Sequence, residues 1–262
     1  MNKLGIVFVA LFFLVACTEE NDISENNSQI DLLTPYTLDQ YKQVFTDISV
    51  TNQSVLGNIK LGYSNGKLEK KIGYAYMHNV VNDNLYDTIY QNLDRVYIEK
   101  RIIPFNGFTS VAPDKIEYKF NQNRKIIYKV KHNLSFSLDD NDTILYSYLN
   151  NKINKLETRS KLALFYYNRN NNLDSICYKP KIYDDNYITY TIGNTYEKEV
   201  FEEYDNSENP FKQLTIFEDM FKRSLSNNNY RKHTVLNVNP YYIKYQSSII
   251  LQYNSEGKLI YK

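Results

Sequence analysis

Few side chains in this chain of 262 residues have the reach to cleave, transfer or ligate. Three histidines, His78, His132 and His233, stand far apart, and none has a second His or Cys at the short spacing a metal site needs. Neither a Gly-x-Ser-x-Gly elbow, a His-Glu-x-x-His pair, a phosphate loop nor a dinucleotide fingerprint occurs. Asp139-Asp140-Asn141-Asp142 gathers four oxygen-bearing side chains of the kind a hard cation prefers, but it lacks the glycine and closing glutamate of a calcium loop and reads as a turn. Glu197, Glu199, Glu202 and Glu203 offer the carboxylates a glycosidase uses in pairs. On a strand Glu197 and Glu199 share one face, where solvent is their simplest partner. Cys177 lies in the alternating stretch Leu173 to Tyr178 and reads as a buried strand residue rather than a nucleophile. No catalytic residue, metal site or cofactor follows from these residues, so the expectation is of a protein that is not an enzyme.

The one thiol with a specific chemistry is Cys17. Met1 to Lys3 form a short positive start, and Leu4 to Val15 is an apolar run of signal-peptide length, well short of the roughly twenty residues that span a bilayer. Leu14-Val15-Ala16-Cys17 resembles the lipobox of bacterial lipoproteins. That resemblance implies a leader over residues 1–16, acylation of Cys17 by chains such as palmitate, and a membrane anchor worth about 0.8 kcal/mol per buried methylene. Residues 17–35 are polar and read as a tether. Its start, Thr18-Glu19-Glu20-Asn21-Asp22, is similar to the acidic tether of outer-membrane lipoproteins in Bacteroidota, implying an outer-membrane location, surface-exposed or periplasm-facing. Removing the leader, which carries Lys3 and no acid, takes the formal charge from +1 to zero. Neutrality argues against nucleic acid as a partner. It also leaves Cys177 as the single mature thiol that is not lipidated, so stability must come from core burial rather than an internal disulfide.

The elements that position any site are read from residues 36–262, which form one β-rich domain without a Gly/Ser- or Pro-rich divider. A unit recurs in which an aromatic residue ends one strand, a few Asn, Ser, Gly or Glu residues turn, and a Lys-Leu or Lys-Ile pair opens the next. Its copies are Tyr63 to Leu68, Phe120 to Ile126, Tyr148 to Ile153, Tyr167 to Leu173 and Tyr253 to Leu259. Asn and Gly tolerate the positive φ of tight hairpin turns, so each copy predicts one antiparallel hairpin. Tyr187 to Ile192 and Tyr241 to Tyr245 alternate as strands, with Tyr241, Ile243 and Tyr245 expected on one side. The chain holds 26 tyrosines and no tryptophan, which suits half-buried pleated surfaces. The expected fold is all-β: a mainly antiparallel sheet of repeated hairpins, curved or folded over, with one or two short helices. One helix is predicted after Asn209-Pro210, from Phe211, Leu214, Phe217, Met220, Phe221 and Leu225. A second is predicted from the capping box at Thr37 and the apolar set Leu38, Tyr41, Val44, Phe45 and Ile48.

The Tyr-Asn-x-x-Gly-Lys-Leu hairpins, together with Tyr204-Asp205-Asn206-Ser207-Glu208-Asn209-Pro210-Phe211, resemble a family of Bacteroidota cell-envelope lipoproteins with tyrosine-rich strand repeats. Asn takes the place of the family's glycine in three of the five units. The resemblance implies an antiparallel sheet protein of the envelope and no particular activity. Asp87-Thr88-Ile89, Asp142-Thr143-Ile144 and Asp174-Ser175-Ile176 each resemble the acceptor for O-glycosylation in exported Bacteroidota proteins, which marks Thr88, Thr143 and Ser175. The leading functional expectation is a binding module for glycan or peptide, with Tyr187, Tyr241 and Tyr245 as ligand-facing aromatics. The alternative is a structural accessory of an outer-membrane complex, docking an envelope protein through the Phe211 to Leu225 segment or a sheet edge. A hydrolase with an unrecognised site is the third.

Overall fold

The computed structural model describes residues 38–42, 45–46, 57–76, 80–102, 115–132, 142–184, 186 and 189–261. Cys17, the tether, Asp139 to Asn141, His78 and Tyr187 lie outside the described residues. β1 (Gln40–Lys42), β2 (Asn58–Ser64), β3 (Lys67–Tyr76), β4 (Val80–Asn92) and β5 (Arg95–Ile102) follow one another as sheet neighbours. β6 (Lys115–Phe120), β7 (Ile126–His132), β8 (Asp142–Leu149), β9 (Lys152–Glu157) and β10 (Lys161–Tyr167) continue the meander. β11 (Leu173–Tyr183) carries β12 (Tyr190–Ile192) as a side branch and pairs onward to β13 (Glu197–Glu202), β14 (Lys232–Asn237) and β15 (Tyr242–Ser248). The fold is all-β and antiparallel, with a single short helix, α1 (Phe221–Ser224), among the described residues.

The sheet closes on itself. Ile249 N–H bonds Arg231 O at 2.8 Å, Ile260 N–H bonds Gln252 O at 2.7 Å, and Lys42 N–H bonds Tyr261 O at 2.7 Å. Pairing thus runs from β15 through a terminal hairpin bridged at Tyr253 and Leu259 and back to β1.

The recurring unit has a physical basis in its turns. Asn121, Asn168 and Asn254, each directly after an aromatic, accept two backbone N–H bonds apiece through Oδ1, at 2.9–3.1 Å, from residues two and four positions on. Gly66 and Gly257 take positive φ, and so do Asn151 and Asn171 where glycine is missing. In the Phe120 unit the left-handed position falls to Arg124 (φ 57°), so the replacement there is arginine and not asparagine. The aromatic ties neighbouring hairpins together. Tyr148 Oη donates to Ile126 O and Tyr167 Oη to Ile153 O, both at 3.0 Å, and Tyr204 Oη donates to Leu173 O.

Residues 203–231, between β13 and β14, lie against the inner face. Tyr118 Oη of β6 donates to Ile216 O at 2.8 Å, and Phe221 meets Tyr146 and Phe165 edge-on. Phe211, Leu214, Ile216, Phe217 and Met220 are 0–2% exposed. The family-like loop supplies the anchors: Asn209 is buried, its amide donates to Arg223 O and Ser226 O, and its Oδ1 accepts from Phe211 N–H. Asp205 accepts from Asn229 N–H and Tyr253 Oη. The apolar stripe is therefore consumed by the protein's own core and cannot serve as the docking face considered above.

That stripe is also not the predicted helix. Leu214 N–H bonds Phe211 O, Phe217 N–H bonds Leu214 O and Met220 N–H bonds Phe217 O, a chain of three-residue turns before the one turn of α1. Phe211, Leu214, Phe217 and Met220 recur strictly every three residues, a spacing that holds one face in three-residue turns but drifts around an α-helix of 3.6. The helix expected from Thr37 is likewise corrected where it is described. Gln40–Lys42 is strand, because pairing with β2 and with Tyr261 outweighs the capping signal. Leu38, Tyr41 and Phe45 are buried nonetheless.

Many outward positions are charged, although Ile127 and Leu145 are also exposed. On β6, Lys115, Glu117 and Lys119 alternate with inward Ile116, Tyr118 and Phe120, and ion pairs such as Lys119–Asp94 (2.6 Å), Lys155–Glu157 (2.9 Å) and Arg95–Glu117 cover the outside. A lipid-facing Lys or Arg would cost about 2–4 kcal/mol at mid-bilayer.

Candidate ligand-binding recess

The tight turns after β2, β4, β6, β8 and β10 gather at one end of the barrel, and residues 203–231 enter there. Among the described residues two recesses open at this end, with Gln213 in the wall of both. The first, about 330 Å³, lies between the hairpin turns and the insert; Arg124, Lys125, Tyr148, Lys152, Tyr167 and Thr215 are among its walls. It carries three cations and no carboxylate. Lys125 Nζ donates to Asn151 Oδ1 at 2.8 Å and lies 5.0 Å from the Tyr148 ring centre. One repeat on, Lys152 donates to Asn171 Oδ1 and lies 4.7 Å from the Tyr167 ring. Partial burial holds the Lys152 pKa below its ordinary value. Each lysine is thus set by the turn of the next hairpin and by the tyrosine that follows it, a cation–π arrangement worth about 0.5–1 kcal/mol when exposed.

The second recess, about 520 Å³, is bordered by Leu38, Glu208, Lys212, Lys258 and Tyr261. Its charges are matched: Lys212 pairs with Glu208 at 3.4 Å and Lys258 with Glu256 at 2.9 Å.

The other polar constellation is buried. Glu199, 5% exposed, accepts from His233 Nε2, Lys222 Nζ and Tyr178 Oη, each at 2.7 Å, and His233 stacks on Phe201. Burial alone would raise the Glu199 pKa, but the His233, Lys222 and Tyr178 contacts outweigh it and hold the carboxyl at about 2. The expectation that Glu199 meets solvent is corrected, since the insert covers it. The same carboxylate pushes the Tyr178 hydroxyl up, after burial as the main cause. A carboxylate saturated by three donors is a latch between β13 and the insert rather than an acid or base with a free lone pair. Glu197, expected beside it, is half-buried and pairs with Lys244 at 2.5 Å.

The other expected site residues are scattered. Tyr241 is 72% exposed in the turn before β15, at the opposite end from the recesses. Tyr245 is half-buried and meets His233 edge-on at 6.1 Å. A bulge pairs Tyr245 with Val235 and Ile243 with Leu236, so Ile243 and Tyr245 face opposite sides and not one side. Thr143 is exposed and Thr88 half-buried, whereas Ser175 is 3% exposed, so a sugar on Ser175 would have to displace packed neighbours. A second bulge, at Asp174, sends Ile176 and Tyr178 inward and Cys177 outward beside Leu164; Cys177 is half-exposed rather than buried. Arg124, Lys125 and Lys152 were not singled out as site residues. Their signal was present, as the basic residue that opens the second strand of successive hairpin units.

Neither the family models nor the curated proteins contain a match to this chain. Among solved structures it is similar to a porin-like protein from Bacteroides uniformis ATCC 8492, with a TM-score of 0.45 and 8% identity, over 77% of this chain and 79% of the other.

Proposed function

We propose that this chain is a lipid-anchored protein of the bacterial outer membrane, related to the tyrosine-rich Bacteroidota lipoproteins it resembles, and that its barrel binds a glycan or peptide instead of performing chemistry. The observation that carries the reading is the first recess, where consecutive hairpins set Lys125 and Lys152 in one pocket that contains no acid. Fixed charges in a concave wall are what a binding site needs and a folding core avoids. The lipobox supports the location, since acylation of Cys17 would moor the barrel through the polar tether. Two measurements test this. A Cys17→Ser chain should leave the envelope fraction for the soluble one; continued sedimentation with envelopes overturns the anchor. Full-length protein in detergent micelles should bind saturably to members of a broad glycan and peptide array, and an array without a single saturable partner overturns the binding module.

The accessory-subunit reading draws on a different observation, the exposed apolar residues Tyr241 (72%), Ile243 (54%) and Ile250 (82%). Crosslinking on intact cells through a photoreactive residue at Tyr241 would give one defined envelope partner under this reading, and only uncrosslinked monomer if it is wrong.

A further inference from the structure

We infer that the first recess takes an acidic glycan, a saccharide bearing carboxylate or sulfate groups, and that Lys125 and Lys152 each engage one of those groups. This rests on the binding reading above and names its ligand class.

Charge is the first support. Among the described residues Lys125 and Lys152 meet only uncharged partners, the Asn151 and Asn171 amides and the Tyr148 and Tyr167 rings. Arg124, in the same wall, has no ion-pair partner among the described residues. The other lysines at the insert are matched: Lys71 with Asp219 at 2.8 Å, Lys129 with Glu218 and, from the insert itself, Lys222 with Glu199. The recess is therefore where the insert leaves positive charge uncompensated, and an anion entering it gains charge-assisted hydrogen bonds without displacing an internal carboxylate.

Spacing is the second. The two lysines precede the cores of β7 and β9, two strand widths apart, which is about 10 Å. An extended polymer with acidic groups along it can touch both at once. Because each ammonium is already held by an amide and a ring, little side-chain freedom remains to be lost on binding.

The class of polymer follows from what else lines the wall. The β7–β8 ladder ends at Tyr128 and Leu145 and the β9–β10 ladder at Leu164 and Lys155, short of the recess, and there the Ile126 and Ile153 carbonyls are already taken by Tyr148 Oη and Tyr167 Oη rather than offered to a peptide backbone. Gln213, Thr215 and Asn151 instead bring amide and hydroxyl groups suited to sugar hydroxyls. The tyrosine rings are capped by their own lysines, so recognition runs through charge and hydrogen bonds more than through stacking.

The test is a calorimetric titration of the full-length chain in detergent micelles, at low salt, with four probes: polygalacturonate, dextran sulfate, neutral dextran and poly-glutamate. At least one of the two acidic polysaccharides should bind, and which one does identifies the anionic group. Lys125→Gln and Lys152→Gln should each weaken that binding about tenfold. The double Lys→Arg variant should retain it, and Lys60→Gln, outward on β2, should leave it unchanged. An unaltered thermal transition in each variant shows that the barrel is intact. Equal binding of neutral dextran, untouched by the Gln variants, would overturn the acidic class while leaving a binding module in place. Tighter binding of poly-glutamate than of either polysaccharide would overturn the glycan assignment. Silence from all four probes alongside a partner on the broad array would overturn this inference alone; silence in both assays would remove the binding reading as well.

Discussion

Lys222 of the insert and Glu199 of β13 meet at 2.7 Å, on the same carboxylate oxygen that His233 reaches from β14. One buried anion thus joins two strands to the segment that fills the barrel. Removing one member of such a group costs about 3–5 kcal/mol, because the others keep their desolvation penalty. Glu199→Gln should accordingly lower stability by about 3 kcal/mol at neutral pH, measured as the urea midpoint. The acid limb follows from the same group. The folded carboxyl titrates near 2 and the unfolded one near 4.5, so its contribution is complete above pH 4.5 and disappears as pH falls toward 2. The expected loss is on the order of 3 kcal/mol across that window, and the Glu199→Gln chain should show a flatter one. Identical acid profiles would contradict the latch.

At the alkaline end the hydroxyl that joins hairpins takes over. Tyr148 Oη donates to Ile126 O, and burial raises its pKa to about 12. A phenol with a raised folded pKa stabilises fully below its ordinary value of 10 and loses that contribution as pH climbs to 12. Tyr148→Phe should cost about 1 kcal/mol near neutrality through the lost hydrogen bond. It should also soften the fall in stability between pH 10 and 12, read by denaturant melts alongside tyrosinate absorbance.

Arg124 separates stability from binding. Its φ of 57° is costly for a side-chain-bearing residue by roughly 1–2 kcal/mol, part of which glycine would recover. Arg124→Gly should raise the unfolding free energy by about 0.5–1 kcal/mol and at the same time weaken binding of the acidic polysaccharide several-fold. A variant that is both less stable and an equal binder would refute both halves.

For glycosylation, exposure ranks the three acceptors. Protein purified from its native host should carry its added mass on the peptide containing Thr143, and Thr143→Ala should remove it, whereas Ser175→Ala should leave the mass unchanged. Peptide-level mass spectrometry decides the matter, and sugar found on Ser175 would mean that modification precedes folding.

How much of this was legible beforehand depends on the range of the interaction. The hairpins could be read because their cause is local: an aromatic, an Asn that captures two N–H groups within four residues, and a residue at positive φ. The buried face of the insert is legible too, but its apolar spacing does not by itself separate three-residue turns from a helix. Bulges were not legible. One extra residue at Asp174 reverses Ser175 and Cys177, and another beside Tyr245 parts it from Ile243, with no composition signal to announce either. Glu199 was misplaced for a different reason. Its partners stand 21, 23 and 34 positions away, and nothing in a row of glutamates says that an insert will cover one of them. The recess lies between these cases, with its lysines spelled out in the repeat and their convergence set by the closure of the sheet.

The bond from Lys42 to Tyr261 marks the joint where the barrel was rolled up. β1 is only three residues long, so this joint is thin, and a mechanical load arriving from the amino-terminal side falls on it before any other strand. Under tension the molecule should unwind from that joint like tape from a spool, one strand after another, and the hairpins around the first recess, several turns of the spool further in, would feel the pull only after β1 to β5 had come away.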